Sequence, residues 1–140
     1  MQVLMDYLVE LNWLSVALGA VAAFAVGAIW YSDAAFGKAW MKGAGLTKKD
    51  TQSGNMGVIM GGGLILTFIS AAALSVLLNV LALDGVVNGA LLGALVAVGF
   101  VVSNKKMHML FEQKPKDYMM ITLLGDVVAL SVMGAVLGAL

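Results

Sequence analysis

Four long apolar stretches, separated by polar segments, dominate the chain; they cover residues 11–32, 51–83, 85–104 and 118–140. A helix needs about 20 apolar residues to cross ~30 Å of hydrocarbon, and each stretch meets or nearly meets that length. Nowhere do polar and apolar residues alternate over ~10-residue segments, as membrane strands require, and a helix satisfies its backbone polar groups internally. The pattern predicts an all-α integral membrane four-helix bundle. It forms one domain, 1–140, with spans at about 11–31, 56–82, 86–103 and 118–139.

The eight lysines all lie in the two longer connections, at about 32–55 and 104–117: Lys38, Lys42, Lys48, Lys49, Lys105, Lys106, Lys114 and Lys116. Short loops rich in lysine stay on the cytoplasmic side of a membrane. We therefore expect both connections in the cytoplasm and both termini outside. The amino-terminal segment carries Asp6 and Glu10 and no basic residue, unlike a cleavable signal, so we expect the first span to remain in the protein.

Short helices are predicted outside the spans. Phe36, Ala39, Trp40 and Gly43 follow an i, i+3, i+4, i+7 pattern, which predicts an amphipathic interfacial helix at about 33–41. Thr47 and Asp50 have the spacing of a capping box and indicate a second helix start. Residues 1–12 are expected to extend the first helix. No helix breaker occurs at 107–111, so the third helix can continue beyond its span.

Composition excludes several function classes. The chain is 61% hydrophobic and 11% charged, too little polar surface for a soluble domain of 140 residues. There is no cysteine and no arginine, and the formal net charge is zero, so thiol chemistry and nucleic-acid binding are not expected. His108 is the only histidine and has no second ligand at helical spacing, whereas a metal site needs three or four. We expect no metal, no cofactor and no enzymatic activity.

Small residues recur at every fourth position of the predicted spans, a pattern that permits close helix contact in lipid. The packing positions predicted in this way are Gly19, Ala23, Gly27, Gly89, Gly93, Gly134 and Gly138. The glycines at 54, 57 and 61–63 are assigned to close packing as well. The stripes predict a tight bundle with little room for a central pathway, so a transport route would need an oligomer interface.

Asp126 is the only ionisable residue inside a predicted span. A charged side chain at the centre of a membrane helix costs ~2.5–3.5 kcal/mol, so it should face protein or water, and it is a functional candidate by default. Thr122 shares its helical face, and Thr67 of the second span falls at a similar depth. The alternative is a neutral aspartic acid, hydrogen-bonded to Thr67 or to a backbone carbonyl, that only holds helices together.

A family resemblance rests on three segments. They read Gly27-Ala28-Ile29-Trp30-Tyr31-Ser32, Phe36-Gly37-Lys38-Ala39-Trp40-Met41-Lys42 and Gly45-Leu46-Thr47, and the closing pattern at 110–112 and 131–138 is similar too. Together they resemble the bacterial membrane domain-of-unknown-function family numbered 1761, over nearly the whole chain. Asp33 stands where that family usually has proline.

The resemblance implies a four-helix protein of the bacterial inner membrane and supplies no activity. If its signature is functional, the site is a cytoplasmic interface formed by Trp30, Tyr31, Phe36, Lys38, Trp40 and Lys42. The alternative is that these aromatic and lysine side chains anchor the bundle at headgroup level.

Two functions remain open at this point. The first is a homo-oligomeric transporter or channel-like protein whose polar site is the membrane-embedded carboxyl of Asp126. The second is a non-catalytic structural or accessory module that binds lipid or a partner protein through the aromatic–lysine segment. The sequence names no soluble substrate and no ion.

Overall fold

The computed structural model describes residues 2–140, so the expected contribution of Met1 to the first helix lies outside the described residues. Within this range the chain is all-helical, which confirms the predicted fold class. Four helices are long and apolar enough to cross a membrane: α2 (Trp13–Trp30), α5 (Met56–Val80), α6 (Val86–Phe111) and α7 (Lys116–Ala139). Three shorter helices accompany them: α1 (Gln2–Val9), α3 (Gly37–Ala44) and α4 (Lys48–Gln52).

The amino-terminal residues form a separate helix, so the expected extension of the first span is wrong. Asn12 has an extended backbone, and its side-chain oxygen accepts a hydrogen bond from the Ser15 amide at 3.3 Å. A polar residue in this position caps a new helix because it satisfies one of the amides that have no intrahelical partner. Helix α1 therefore ends before α2 begins, and it packs against α5.

The amphipathic helix after the first span exists, but it covers Gly37–Ala44 rather than 33–41. Before α3 the chain makes a turn that brings the Phe36 ring against the Trp30 ring, with the ring centroids 4.6 Å apart. Gly45 ends α3 in the left-handed conformation at φ 72°, which glycine adopts at no steric cost.

Helix α4 starts with the predicted capping box. The Thr47 amide donates to the Asp50 carboxylate at 2.9 Å, and the Asp50 amide donates to the Thr47 hydroxyl at 3.1 Å. The backbone amide of Thr47, and secondarily its side chain, hold the pKa of the Asp50 carboxyl below its usual value. The carboxylate therefore remains charged, and the cap intact, at every pH above that lowered value.

The lysine-bearing segments lie at one end of the molecule, which we call the basic end. The rings of Trp40 and Tyr118 stack there at 6.1 Å, joining α3 to the start of α7. At the opposite end, the Gly85 amide donates to the Gly138 carbonyl at 2.8 Å, so the α5–α6 turn meets the end of α7. All eight lysines thus sit on one side of the apolar helices.

The spanning helices form an incompletely closed bundle. Helix α7 lies between α6 and α2, and α5 packs mainly against α2, with a smaller contact to α7 and little contact to α6. The buried residues of α5 are Ala71, Leu74, Ser75 and Leu78, all in its second half. Most side chains of its first half are exposed, so the expectation of uniformly tight packing is wrong for this segment. The core, centred on Val16, Leu74 and Met133, lies nearer the opposite end.

The closest helix contact joins α6 to α7. A Cβ atom built on Gly89 would overlap the Gly134 carbonyl, one on Gly93 would overlap the Leu130 carbonyl, and one on Gly138 would overlap the Gly85 carbonyl. Backbones approach this closely only where neither helix carries a side chain at the crossing. These contacts establish the register of α6 against α7.

Helix α6 contains a π-helical segment at Ala97–Val102. In a regular α-helix, four residues turn the direction of a side chain ~40° beyond a full circle. Over the 16 residues from Gly89 to Lys105 the excess would reach ~160°, and Lys105 would point away from α7. A π segment has a wider turn and rotates less per residue, which offsets this drift. As a result, Lys105 still faces α7, although it lies 16 residues beyond Gly89.

Candidate functional site: a charged cavity between the spanning helices

Asp126 forms an ion pair with Lys105. The Lys105 Nζ atom lies 2.8 Å from the Asp126 Oδ2 atom, and the two side chains are 46% and 24% exposed. Asp126 is the eleventh of the 24 residues of α7, close to its middle. The sequence pattern identifies no basic partner for this acid, and the structure supplies one. The reason is that α6 continues to Phe111 and carries Lys105 within the helical bundle instead of in a loop.

The lysine reaches inward to make this contact. The register set by the Gly89–Gly134 and Gly93–Leu130 contacts places Lys105 near the level of Tyr118, about two turns closer to the basic end than Asp126. Lysines near the end of a membrane helix usually extend outward to the headgroups. Lys105 does the opposite, because helical side chains lean toward the amino terminus of their helix and Asp126 lies in that direction.

The ion pair lines a cavity of about 250 Å³ that all four spanning helices border. Helix α2 contributes Ala23, and α5 contributes Leu66, Thr67 and Ser70; the remaining lining comes from α6 and α7: Val101, Lys105, Asp126, Ala129, Leu130 and Met133. The cavity occupies the space left where α5 diverges from α6. A single copy of the chain therefore forms this polar site, which is partly open, since the Lys105 and Asp126 side chains both remain partly exposed.

The hydroxyl groups of Thr67 and Ser70 bond within their own helix and not to Asp126. The Thr67 hydroxyl donates to the Gly63 carbonyl at 2.7 Å and the Ser70 hydroxyl to the Leu66 carbonyl at 3.2 Å, both within α5. Each hydroxyl proton is thereby used, so both oxygens can offer only lone pairs to a solute in the cavity. The alternative in which Asp126 bonds to Thr67 is not observed, since Asp126 bonds to Lys105.

Thr122 does not line this cavity, although it lies one turn before Asp126 on α7. Its Oγ1 atom is buried and has no hydrogen-bond partner among residues 2–140. A serine or threonine hydroxyl that lacks a partner in the interior costs free energy. Thr122 therefore belongs to the α7 interior beside the site and not to the charged pair.

An aromatic cluster occupies the basic end and contains four of the predicted interface residues. Trp30 contacts Phe36, and Tyr31 contacts Trp40 edge to face at 5.4 Å, while Trp40 stacks on Tyr118. The Trp30 Nε1 atom donates to the Ile121 carbonyl at 2.9 Å. That approach requires Gly125, where a Cβ atom would lie 2.8 Å from Nε1. The cluster therefore joins α2, α3 and α7 through defined contacts.

The other two residues of the predicted interface are separate from this cluster. Lys38 and Lys42 are exposed on α3. The second ion pair of the described chain instead joins Lys48 to Asp33 at 3.0 Å, and both side chains are about half exposed or more. The structure thus assigns the aromatic rings to helix packing and leaves the α3 lysines facing outward.

The predicted packing positions fall into two groups. Gly89, Gly93, Gly134 and Gly138 form the α6–α7 crossing described above, Gly19 meets Leu137 at 3.1 Å, and Ala23 is buried. Gly27, Gly61 and Gly62 have no heavy atom within 4 Å of a built Cβ atom. The assignment of the 61–63 glycines to close packing is therefore wrong at two of three positions, because the first half of α5 is not covered by another helix.

Sequence reasoning missed three contributors: Lys105, Ser70 and Gly125. In the sequence Lys105 indicates only topology, since a lysine beyond an apolar run normally lies in a loop. The uninterrupted helical pattern through 107–111 was the available signal that it belongs to α6. Ser70 and Gly125 had no signal of their own, because their roles depend on the positions of other helices.

No group of three or more histidine, cysteine or acidic side chains capable of holding a metal occurs between residues 2 and 140. Four helices of sufficient length and apolar composition to cross a membrane are typical of a multi-pass helical membrane protein. A family model described as a protein of unknown function (DUF1761) matches residues 14–138, and the chain belongs to that family. Comparison with curated proteins and with solved structures found no match.

Proposed function

We propose that the chain is a transporter or channel-like protein of the bacterial inner membrane, and that the Lys105–Asp126 pair is its solute-responsive site. The observation that carries this proposal is the position of the pair, in a cavity of about 250 Å³ bordered by all four spanning helices. Charged side chains within membrane spans are rare, and they commonly mark solute or proton pathways. The lysine distribution supports an orientation with the basic end in the cytoplasm and both termini outside.

The chemistry of the pair favours a proton or small cation as the species that moves or drives movement. Asp126 supplies a carboxylate, and the hydroxyl oxygens of Thr67 and Ser70 act as acceptors. Among the lining residues of the described chain, only Lys105 carries a cationic group. A proton or cation arriving at Asp126 therefore replaces this ammonium, which is then free to turn toward the basic end, where lysine is readily solvated.

Transport provides the test. We expect protein in liposomes to carry protons down an imposed pH difference, detected by a pH-sensitive dye trapped inside, and we expect Asp126→Asn to reduce that flux at least about tenfold, as for loss of an essential proton-transfer group. Asp117→Asn is the matched control, because Asp117 is an exposed aspartate at the start of the same helix. Equal flux in Asp126→Asn and Asp117→Asn would rule out the carboxyl as the site.

The proposal includes a homo-oligomer formed through α5. Gly57 and Gly61 form a Gly-x-x-x-Gly pair in the exposed first half of α5. A built Cβ atom on Gly61 meets nothing within 4 Å, and one on Gly57 meets only the Asn55 side chain of its own helix start. Such pairs associate membrane helices by close backbone contact, and no helix of the described chain covers this one.

Cross-linking tests the oligomer, and the absence of cysteine allows single-cysteine variants. We expect Val58→Cys, beside Gly57, to form a disulfide-linked dimer in membranes. Adding Gly61→Leu should remove most of that product, because the side chain separates the helices. Ala25→Leu is the control, since it adds similar bulk at an exposed position of α2. A cross-link that survives Gly61→Leu would place the interface elsewhere.

The alternative function, a lipid- or partner-binding module, has one supporting observation at the predicted segment. Lys38 and Lys42 are exposed on α3 at the basic end, and no carboxylate pairs with either within the part of the chain that the structure describes. The neighbouring aromatic rings, however, are engaged with one another and with α7. Asp126 plays no part in this alternative, so Asp126→Asn would then alter stability but not flux.

A further inference from the structure

A second, apolar cavity follows the other side of the α6–α7 pair. It has a volume of about 530 Å³ and is open along the helix surface. Val98 and Val102 of α6 face Leu123 and Val127 of α7 across it, and Lys106 and Lys116 lie at its basic end. We call it the α6–α7 groove.

The groove exists because the two helices diverge toward the basic end. Glycines bring their backbones together at Gly89–Gly134 and Gly93–Leu130. Nearer the basic end the facing residues are bulky, with Met119 and Leu123 on α7, and side chains of this size keep helix axes ~8–10 Å apart. Helices α6 and α7 are therefore in tight contact at one end and separated at the other.

The two consecutive lysines of α6 serve different sites. Lys105 reaches into the charged cavity and pairs with Asp126, whereas Lys106 lines the groove. Among residues 2–140 neither Lys106 nor Lys116 has a carboxylate within ion-pair distance. Lys114, between them and the aromatic cluster, lies 5.8 Å from the centre of the Tyr118 ring. The groove thus ends at two ammonium groups without a counter-ion.

We propose that the α6–α7 groove binds one anionic phospholipid, with an acyl chain along the apolar walls and the phosphate between Lys106 and Lys116. Two features select this occupant. The walls are formed by apolar side chains of two spanning helices, and the charged residues of the lining, Lys106 and Lys116, are both positive and lie at its basic end. Basic pockets between membrane helices bind anionic headgroups for this reason, and the flexible methionine side chains of the wall can adapt to an acyl chain.

The experiment measures lipid binding to the purified full chain in detergent by native mass spectrometry. The probes are phosphatidylglycerol and phosphatidylcholine with the same acyl chains. We expect phosphatidylglycerol to bind about thirtyfold more tightly, since each of the two lysines near the headgroup contributes ~1 kcal/mol and ~1.4 kcal/mol corresponds to a tenfold change. The double variant Lys106→Gln/Lys116→Gln should lose that preference.

Three further variants make the result decisive. Lys38→Gln/Lys42→Gln removes the same charge from the same end and should leave the preference unchanged. Lys106→Arg/Lys116→Arg keeps the charge and should retain it, which separates loss of the site from loss of the fold. Leu123→Trp fills the groove and should weaken the binding of both lipids.

If Lys38→Gln/Lys42→Gln and Lys106→Gln/Lys116→Gln lose the preference for phosphatidylglycerol equally, the proposal is overturned. The lipid would then be attracted to the basic end as a whole and not to the groove. Displacement of phosphatidylglycerol by millimolar inorganic phosphate would also overturn the proposal, because it would show an anion site that does not use the apolar walls. A change in the dimer fraction of Leu123→Trp would assign the groove to a second copy of the chain instead.

Discussion

Gly134→Leu is expected to destabilise the protein by about 3 kcal/mol or more, at the upper end of what overpacking costs. A Cβ atom on Gly134 already overlaps the Gly89 carbonyl, and the Gly93 amide nitrogen lies 3.3 Å away. Both neighbours are backbone atoms of a continuous helix, so neither can move aside alone. The two helices must separate, and contacts along the whole α6–α7 seam weaken as a result.

The measurement is the free energy of unfolding in mixed micelles, followed by tryptophan fluorescence as denaturing detergent is added. Gly27→Leu is the control, because it makes the same substitution in a spanning helix where a built Cβ atom meets nothing within 4 Å. Gly134→Ala should lower the free energy of unfolding by less than Gly134→Leu but by more than Gly27→Leu. If Gly134→Leu and Gly27→Leu lower the free energy of unfolding equally, the α6–α7 crossing is not packed through glycine.

The second large effect is expected from removing one partner of the Lys105–Asp126 pair. The loss of unfolding free energy should depend on which partner is removed. Lys105→Met leaves the Asp126 carboxylate unpaired near the middle of α7, at a cost of about 2–3 kcal/mol, in line with charged groups at this depth. Asp126→Leu leaves the Lys105 ammonium, which can turn to the headgroups, so we expect a loss of only about 1 kcal/mol. The double variant should be close to the unchanged protein in stability, because replacing both charges by apolar groups removes the desolvation cost as well as the attraction.

A double-mutant cycle on unfolding free energies measures this coupling. Lys106→Met is the control, since Lys106 neighbours Lys105 and has no carboxylate partner among residues 2–140. We expect it to change stability by less than about 0.5 kcal/mol, as surface substitutions usually do. Strictly additive effects of Lys105→Met and Asp126→Leu would mean that the two charges do not interact in the membrane.

The stability cycle and the flux experiment separate two roles of Asp126. A packing role requires coupling to Lys105 but no dependence of transport on the carboxyl. A transport role requires both, because the incoming proton or cation must compete with Lys105. The geometry makes the two roles compatible, because the same 2.8 Å contact joins α6 to α7 and is the contact with which an incoming proton or cation would compete.

Several features were predictable because they depend on local pattern. The four apolar stretches predicted the spanning helices, since the length of an apolar helix is set by the thickness of the bilayer. The capping box at Thr47 and Asp50 was predictable because its two hydrogen bonds lie within four residues. The break before α2 was missed even though Asn12 is a good capping residue, because the apolar pattern continues across it.

The charged cavity was only half predictable. Asp126 stood out because an acid in an apolar stretch is rare, and Thr67 was placed at the same depth by counting along antiparallel helices. Lys105 did not stand out, because its orientation depends on the π-helical segment of α6, for which the sequence carries no recognised signal. The same limit applies to Gly61 and Gly62 in the first half of α5, which have the pattern of packed positions but face no neighbouring helix.

The sequence by itself determined that this protein is helical, that four of its helices can cross a membrane, and that its lysines gather in two segments of the chain. These properties follow from residue type and spacing, which act through local hydrogen bonding and transfer to lipid. The tertiary structure alone decided which helices touch, where the bundle opens, and which of two adjacent lysines pairs with Asp126. Those outcomes depend on backbone approach at glycine crossings and on helix rotation, and both arise only when distant segments of the chain are packed together.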